Sequence, residues 1–80
     1  MIIKILAFGV ARDIVGGSTV DLQVKTGLDV QGFRREINNK YPAFNDLTSL
    51  MIAVNSEYAE DAQLLNENDE IALIPPVSGG

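Results

Sequence analysis

The stretch Ile71-Ala72-Leu73-Ile74-Pro75-Pro76-Val77-Ser78-Gly79-Gly80 closes the sequence and joins an apolar segment to two prolines and a diglycine. The apolar segment predicts a strand. Pro75-Pro76 ends it, because proline lacks the N–H that a sheet ladder needs and holds the backbone extended. Glycine carries no side chain, so Gly79-Gly80 suits a passage that admits only backbone. We therefore predict a folded domain over residues 1–74 and a projecting tail over residues 75–80, which presents the carboxylate of Gly80.

Upstream of this stretch the sequence predicts one main helix and four further strands. Asp29 is a good N-cap for the helix, along which apolar residues recur at helical spacing: Val30, Phe33, Ile37 and Tyr41. Alternation and turn residues predict the strands at residues 2–8, 19–25, 50–54 and 57–59, before the last strand at Glu70–Ile74. One helix on a mixed or antiparallel sheet of about five strands makes the fold class α+β.

Two short segments and the first strand carry further expectations. Helical turns are predicted at Val10–Val15 and at residues 62–65, and the second is expected to place Leu64 and Leu65 in the core. The first strand is apolar on both faces, so we expect a central strand that is covered on both sides or lies near an interface.

The composition excludes several kinds of site. The sequence has no Cys and no His, which removes thiolate nucleophiles, disulfides, Fe–S ligation by Cys and typical zinc sites. It also has no phosphate-binding loop, no paired-carboxylate signature and no metal-binding constellation. We expect a protein that is not an enzyme by itself and binds no metal, with the carboxylate of Gly80 as its reactive group.

The net charge of −5 is unevenly distributed, since residues 41–80 contain seven acidic residues and no Lys or Arg. Nucleic-acid binding is disfavoured because phosphate contacts need a basic face. The acidic residues suit docking to a basic protein surface, or they only keep a small domain soluble. No apolar run reaches the length of a membrane-spanning helix and no targeting segment is evident, so we expect the cytoplasm.

A carboxylate becomes an acyl donor only after activation, for example as an acyl-adenylate. The activated carbonyl can then accept sulfur, which gives a thiocarboxylate, or an amine. Because the chain has no Cys, any sulfur that it carries must be held at Gly80.

Segments along the whole chain carry a resemblance to a known family: residues 3–8, 11–13, 52–55 and 68–72, and above all the ending Pro-Pro-Val-Ser-Gly-Gly. The chain resembles the small, sulfur-carrier subunits of molybdopterin synthase, which are ubiquitin-like β-grasp proteins. The resemblance implies that an adenylyltransferase of the ubiquitin-activating type uses ATP to adenylate Gly80, and that a sulfur donor converts it to a thiocarboxylate. It also implies that the chain itself binds no cofactor.

The resemblance also implies the partners and the site residues. The large catalytic subunit receives the tail of this chain in its active site, where sulfur passes to cyclic pterin monophosphate. The tail residues that enter the active site are Pro75, Pro76, Val77, Ser78 and Gly79. The chain is then the non-catalytic subunit of a sulfurtransferase, assembled as a heterotetramer of two small and two large subunits. The family's apolar docking positions correspond to Phe8, Tyr58 and Ile74, although side chains such as Phe8 and Tyr58 more often serve as core or rim packing.

Three other functions fit a projecting diglycine. The chain could be a sulfur carrier for thiamine synthesis or tRNA thiolation, a ubiquitin-like modifier joined to Lys side chains, or a β-grasp binding module with an inert tail. We also predict that residues 78–80 are not ordered in the free protein, because they have almost no surface to bury.

Overall fold

The computed structural model describes residues 1–47 and 49–76. They contain five strands, two α-helices and one 3₁₀ helix: β1 (Ile2–Ala7), α1 (Val10–Val15), β2 (Thr19–Gln23), α2 (Val30–Lys40), the 3₁₀ helix Pro42–Asp46, β3 (Met51–Val54), β4 (Glu57–Tyr58) and β5 (Glu70–Ile74). The five predicted strands, the main helix and the helical segment at Val10–Val15 are confirmed, with bounds that differ by at most about two residues.

The strands form one mixed sheet in the order β2-β1-β5-β3-β4. β1 and β5 run parallel to each other, and the other adjacent pairs are antiparallel. One main helix on a five-stranded mixed sheet confirms the predicted α+β class, and the arrangement is that of a ubiquitin-like β-grasp fold.

α2 begins at Asp29, whose Oδ1 accepts a hydrogen bond from the N–H of Gly32 at 2.8 Å. This confirms the predicted N-cap, since the carboxylate satisfies one of the free N–H groups of the first helical turn. Val30, Phe33 and Ile37 on α2 are completely buried. They belong to one core cluster with inward-facing residues of the sheet: Ile3, Ile5, Leu22, Ile52, Val54, Ile71 and Leu73.

The helical turn predicted for residues 62–65 is wrong. Leu64 forms an isolated antiparallel bridge with Asp29, and the N–H of Leu65 donates to the carbonyl of Leu28 at 2.9 Å. Neighbouring residues in extended backbone point to opposite sides, so Leu65 is buried whereas Leu64 is 63% exposed. Only Leu65 contributes to the core in the way predicted for both leucines.

Candidate docking surface and tail root

The sheet has one face turned away from the core, and its pairing register brings apolar residues of four strands together on that face. Leu6 pairs with Ala72 across β1 and β5. Ala72 pairs with Ala53, which in turn pairs with Tyr58 on β4. Paired residues on adjacent strands point to the same side, so these side chains form a row across the open face from β1 to β4.

β1 is central, as predicted, but this chain covers only one of its faces. Ile3, Ile5 and Ala7 are buried, whereas Ile2 and Phe8 are each 50% exposed. The expectation that β1 is covered on both sides is therefore wrong for the described residues, because the core lies on one side of the sheet. The alternative expectation, that its second face lies near an interface, stays a prediction.

A depression of about 290 Å³ lies on the open face. Its lining residues, which we call the docking surface, are Leu6, Phe8, Ala53, Ser56, Tyr58, Glu70, Ala72 and Ile74. Phe8 and Tyr58 are 50% and 69% exposed, so neither serves chiefly as core packing. The structure thus brings together Phe8, Tyr58 and Ile74, the three residues predicted to dock a partner. Exposed aromatic side chains of this kind often anchor a protein–protein interface.

Sequence reasoning missed the small and the charged members of the docking surface. Ala53 and Ala72 carry no signal of their own, since small residues fit either face of a strand, and Ser56 lies in the turn between β3 and β4. Glu70 follows Asp69 in a polar segment that is typical of a solvated turn. The alternation along β3 and β5 assigns Ala53, Glu70 and Ala72 to a face of the sheet, but only the strand order shows that these residues lie together on the open face.

The hairpin between β3 and β4 positions Tyr58. Two residues connect the strands, and both have positive φ: 50° at Asn55 and 73° at Ser56, as in the turns preferred by two-residue hairpins. The Asn55 side chain fixes the hairpin to β5, because its Nδ2 donates to Asp69 Oδ1 and its Oδ1 accepts from the N–H of Glu70, both at 3.0 Å. The N–H of Asn55 also donates to the carbonyl of Glu70 at 2.8 Å.

The root of the tail is packed on the domain. Pro75 is buried and Pro76 is exposed. Gly9 has a φ of 54°, which favours glycine, and a Cβ at this position would lie 3.4 Å from Cγ of Pro75. This is an ordinary van der Waals distance, so the backbone conformation at Gly9, and not the space beside Pro75, favours glycine there. The predicted boundary between residues 74 and 75 stays a prediction, although Pro75 packs with the domain.

The remaining tail residues lie outside the described residues: Val77, Ser78, Gly79 and Gly80. The roles predicted for them, and the expectation that residues 78–80 are not ordered in the free protein, stay predictions.

In the described part of the chain, no polar or charged side chain is buried, so these side chains lie at or near the surface. One ion pair joins Arg34 Nε to Asp61 Oδ1 at 3.5 Å among residues 1–47 and 49–76. Over the same residues, acidic side chains form no group of three or more that could hold a metal ion. No helix in this part of the structure has the length and apolar character to cross a membrane.

Comparison with known proteins gives a family and several relatives. The model of the ThiS family matches residues 5–80. The molybdopterin synthase sulfur carrier subunit of Caenorhabditis briggsae is 40% identical over 81 residues, which cover 98% of this chain and 96% of that protein. The Arabidopsis thaliana protein of the same name is 35% identical over 79 residues, covering 98% of this chain and 82% of that protein.

Solved structures are similar over nearly the full chain. Small archaeal modifier protein 1 (SAMP1) from Methanosarcina acetivorans is 26% identical with a TM-score of 0.78, over 99% of this chain and 96% of that one. A chain in the complex of subunits 1 and 2 of the molybdopterin-converting factor from Helicobacter pylori 26695 is 23% identical with a TM-score of 0.68, over 100% of both chains. The second likeness supports the fold alone.

Proposed function

The chain belongs to the ThiS family, and from this membership we propose that it is the sulfur carrier subunit of molybdopterin synthase, acting in molybdenum cofactor biosynthesis. The observation that carries the proposal is the match, over almost the whole chain, to proteins named molybdopterin synthase sulfur carrier subunit. The docking surface is consistent with this function, because β5 contributes to an exposed apolar patch and leads directly into the Pro-Pro-Val-Ser-Gly-Gly ending.

Gly80 is the proposed reactive residue. An activating enzyme transfers AMP from ATP to its carboxylate and releases pyrophosphate. A sulfur donor at the sulfide level then attacks the carbonyl carbon of the acyl-adenylate, the bond to AMP breaks, and AMP leaves, which gives a thiocarboxylate at Gly80. The thiocarboxylate gives its sulfur to cyclic pterin monophosphate, and hydrolysis of the acyl bond regenerates the carboxylate.

The small and large subunits divide this work. The chain supplies sulfur and a docking surface, with Phe8, Tyr58 and Ile74 as its apolar anchors, while the large subunit supplies the catalytic groups. Residues 75–79 enter the active site of the large subunit. Residues 77–80 can span about 13 Å when extended, which carries Gly80 beyond the docking surface. Two small and two large subunits form the proposed assembly.

The proposal is tested by mixing thiocarboxylated chain with the large subunit and cyclic pterin monophosphate, and measuring molybdopterin. We expect product in proportion to the thiocarboxylate supplied. The matched control is a chain without Gly80, which keeps the docking surface and is expected to bind the large subunit but give no product. A thiocarboxylated chain that binds the large subunit and transfers no sulfur would contradict the proposal. A carrier for thiamine synthesis or tRNA thiolation is expected neither to bind the large subunit nor to transfer sulfur to this pterin.

A protein modifier is the second candidate, favoured by the likeness to small archaeal modifier protein 1 at 26% identity. The fold and the diglycine suit both functions, since an adenylated Gly80 can accept an amine as well as sulfur. A tagged chain incubated with ATP and cell extract would then give isopeptide-linked products that disappear when Gly80 is deleted. The carrier function alone predicts that no such products form.

A further inference from the structure

Glu70 is the acidic residue of the docking surface. It lies at the start of β5 and is exposed to solvent. We propose that Glu70 binds a Lys or Arg side chain of the large subunit, and that this ion pair fixes the orientation in which the chain docks. The inference rests on the proposed function for the identity of the partner.

The backbone of Glu70 is held in place before any partner binds. Its N–H donates to Oδ1 of Asn55 at 3.0 Å, and its carbonyl accepts from the N–H of Asn55 at 2.8 Å. No ion pair within 4.0 Å joins its side chain to another residue in the described ranges. The structure therefore presents a carboxylate on a fixed backbone, with its charge available to a partner. Fixing the backbone in advance lowers the entropy that binding must overcome.

The neighbours of Glu70 on the open face leave an excess of negative charge. In the register of the sheet, Lys4 on β1 lies opposite Glu70 on β5 and opposite Asp21 on β2. One cation thus lies between two carboxylates, and the sum of +1 and −2 is −1. Lys4 cannot neutralise both acids, so a cation from the partner finds a favourable position at this end of the surface.

The position of Glu70 explains why a charge there would orient the partner. Glu70 and Ile74 point to the same side of β5, four residues apart, which is a separation of about 13 Å. Phe8 and Ile74 lie at the end of β1 and β5 from which the tail leaves, and Glu70 lies at the other end of β5. Apolar contacts are non-directional, so the anchors Phe8, Tyr58 and Ile74 tolerate small rotations of the partner on this face. A directional contact at the far end of β5 restricts these rotations, and so it helps to set the direction in which the tail leaves the docking surface.

Glu67 provides a matched control for the charge of Glu70. Glu67 is also exposed, but it lies in the polar turn before β5 and lines a different depression, with Met1, Leu64 and Leu65. The variants E70Q and E67Q each change the net charge by the same amount. Their difference therefore isolates the position of the charge from the overall attraction of an acidic chain to a basic partner.

The experiment measures the Kd of the full chain for the large subunit at several salt concentrations. We expect E70Q to bind about three- to tenfold more weakly than the wild-type chain, with a smaller salt dependence. The Kd of E67Q should stay within about twofold of the wild-type value, because a charge outside the contact contributes little to binding. Urea unfolding of both variants should match the wild-type chain, because the hydrogen bonds at residue 70 involve only its backbone.

The possible outcomes separate this inference from the proposed function. If the wild-type chain binds the large subunit and E70Q binds as E67Q does, the inference is overturned and the proposed function stands. If the wild-type chain does not bind the large subunit at all, both are overturned. The charge reversal E70K should weaken binding more than E70Q does, and equal affinity of E70K and E70Q would also contradict a direct ion pair.

Discussion

Truncation of Phe8 to Ala tests whether the docking surface binds the large subunit. Phe8 is 50% exposed, and since a Phe side chain buries about 200 Å², about 100 Å² of it remains for a partner to cover. At about 25 cal/mol per Å², loss of this contact costs about 2.5 kcal/mol of binding free energy. The Kd should therefore rise about 70-fold.

Titration calorimetry with the purified large subunit measures this change. Leu64→Ala is the matched control, because Leu64 is 63% exposed but lies outside the docking surface. We expect its Kd to stay within about twofold of the wild-type value, since an exposed side chain outside the contact contributes little to binding.

The folding cost of Phe8→Ala must be measured in parallel. Truncation of a completely buried Phe to Ala costs about 3–5 kcal/mol of unfolding free energy. Because Phe8 is half-buried, its truncation should cost about 2 kcal/mol. Urea unfolding gives this value, and circular dichroism shows whether the variant is folded at the temperature of the titration. A folded Phe8→Ala chain that binds as tightly as the wild-type chain would refute the assignment of this face as the docking surface.

Two further predictions concern stability. Asn55→Ala removes the two side-chain hydrogen bonds to Asp69 and Glu70 and should lower the unfolding free energy by about 1–2 kcal/mol; an unchanged urea midpoint would show that these bonds do not stabilise the hairpin. Asp29→Ala removes the cap on the N–H of Gly32 and should cost about 1 kcal/mol, most of which Asp29→Ser should restore in the same assay; equal destabilisation by both substitutions would contradict capping.

The sequence was most informative where local chemistry decides the structure. The cap at Asp29, the helical spacing that follows it and the alternation of β2 each depend on neighbouring residues. The proline pair after Ile74 is a local signal too. Such signals were sufficient to predict the class of the fold and nearly all of its elements.

Long-range pairing decided the features that sequence reasoning missed. β1 is apolar on both faces, and only the strand order and the position of the core show which face this chain leaves open. The sequence predicts both Leu64 and Leu65 in the core, but the bridge between Leu64 and Asp29 holds this segment extended, so the two side chains point to opposite sides. Glu70 joins the docking surface because β5 lies between β1 and β3.

The intact mass of the chain is the decisive measurement of whether Gly80 carries sulfur. The chain is incubated with ATP, a sulfur donor and an activating enzyme, with a chain lacking Gly80 as control. We expect the mass increase that replacement of one oxygen by one sulfur produces, in the wild-type chain only. If the mass stays unchanged with activating enzymes that thiolate a known sulfur carrier in the same assay, Gly80 of this chain does not carry sulfur.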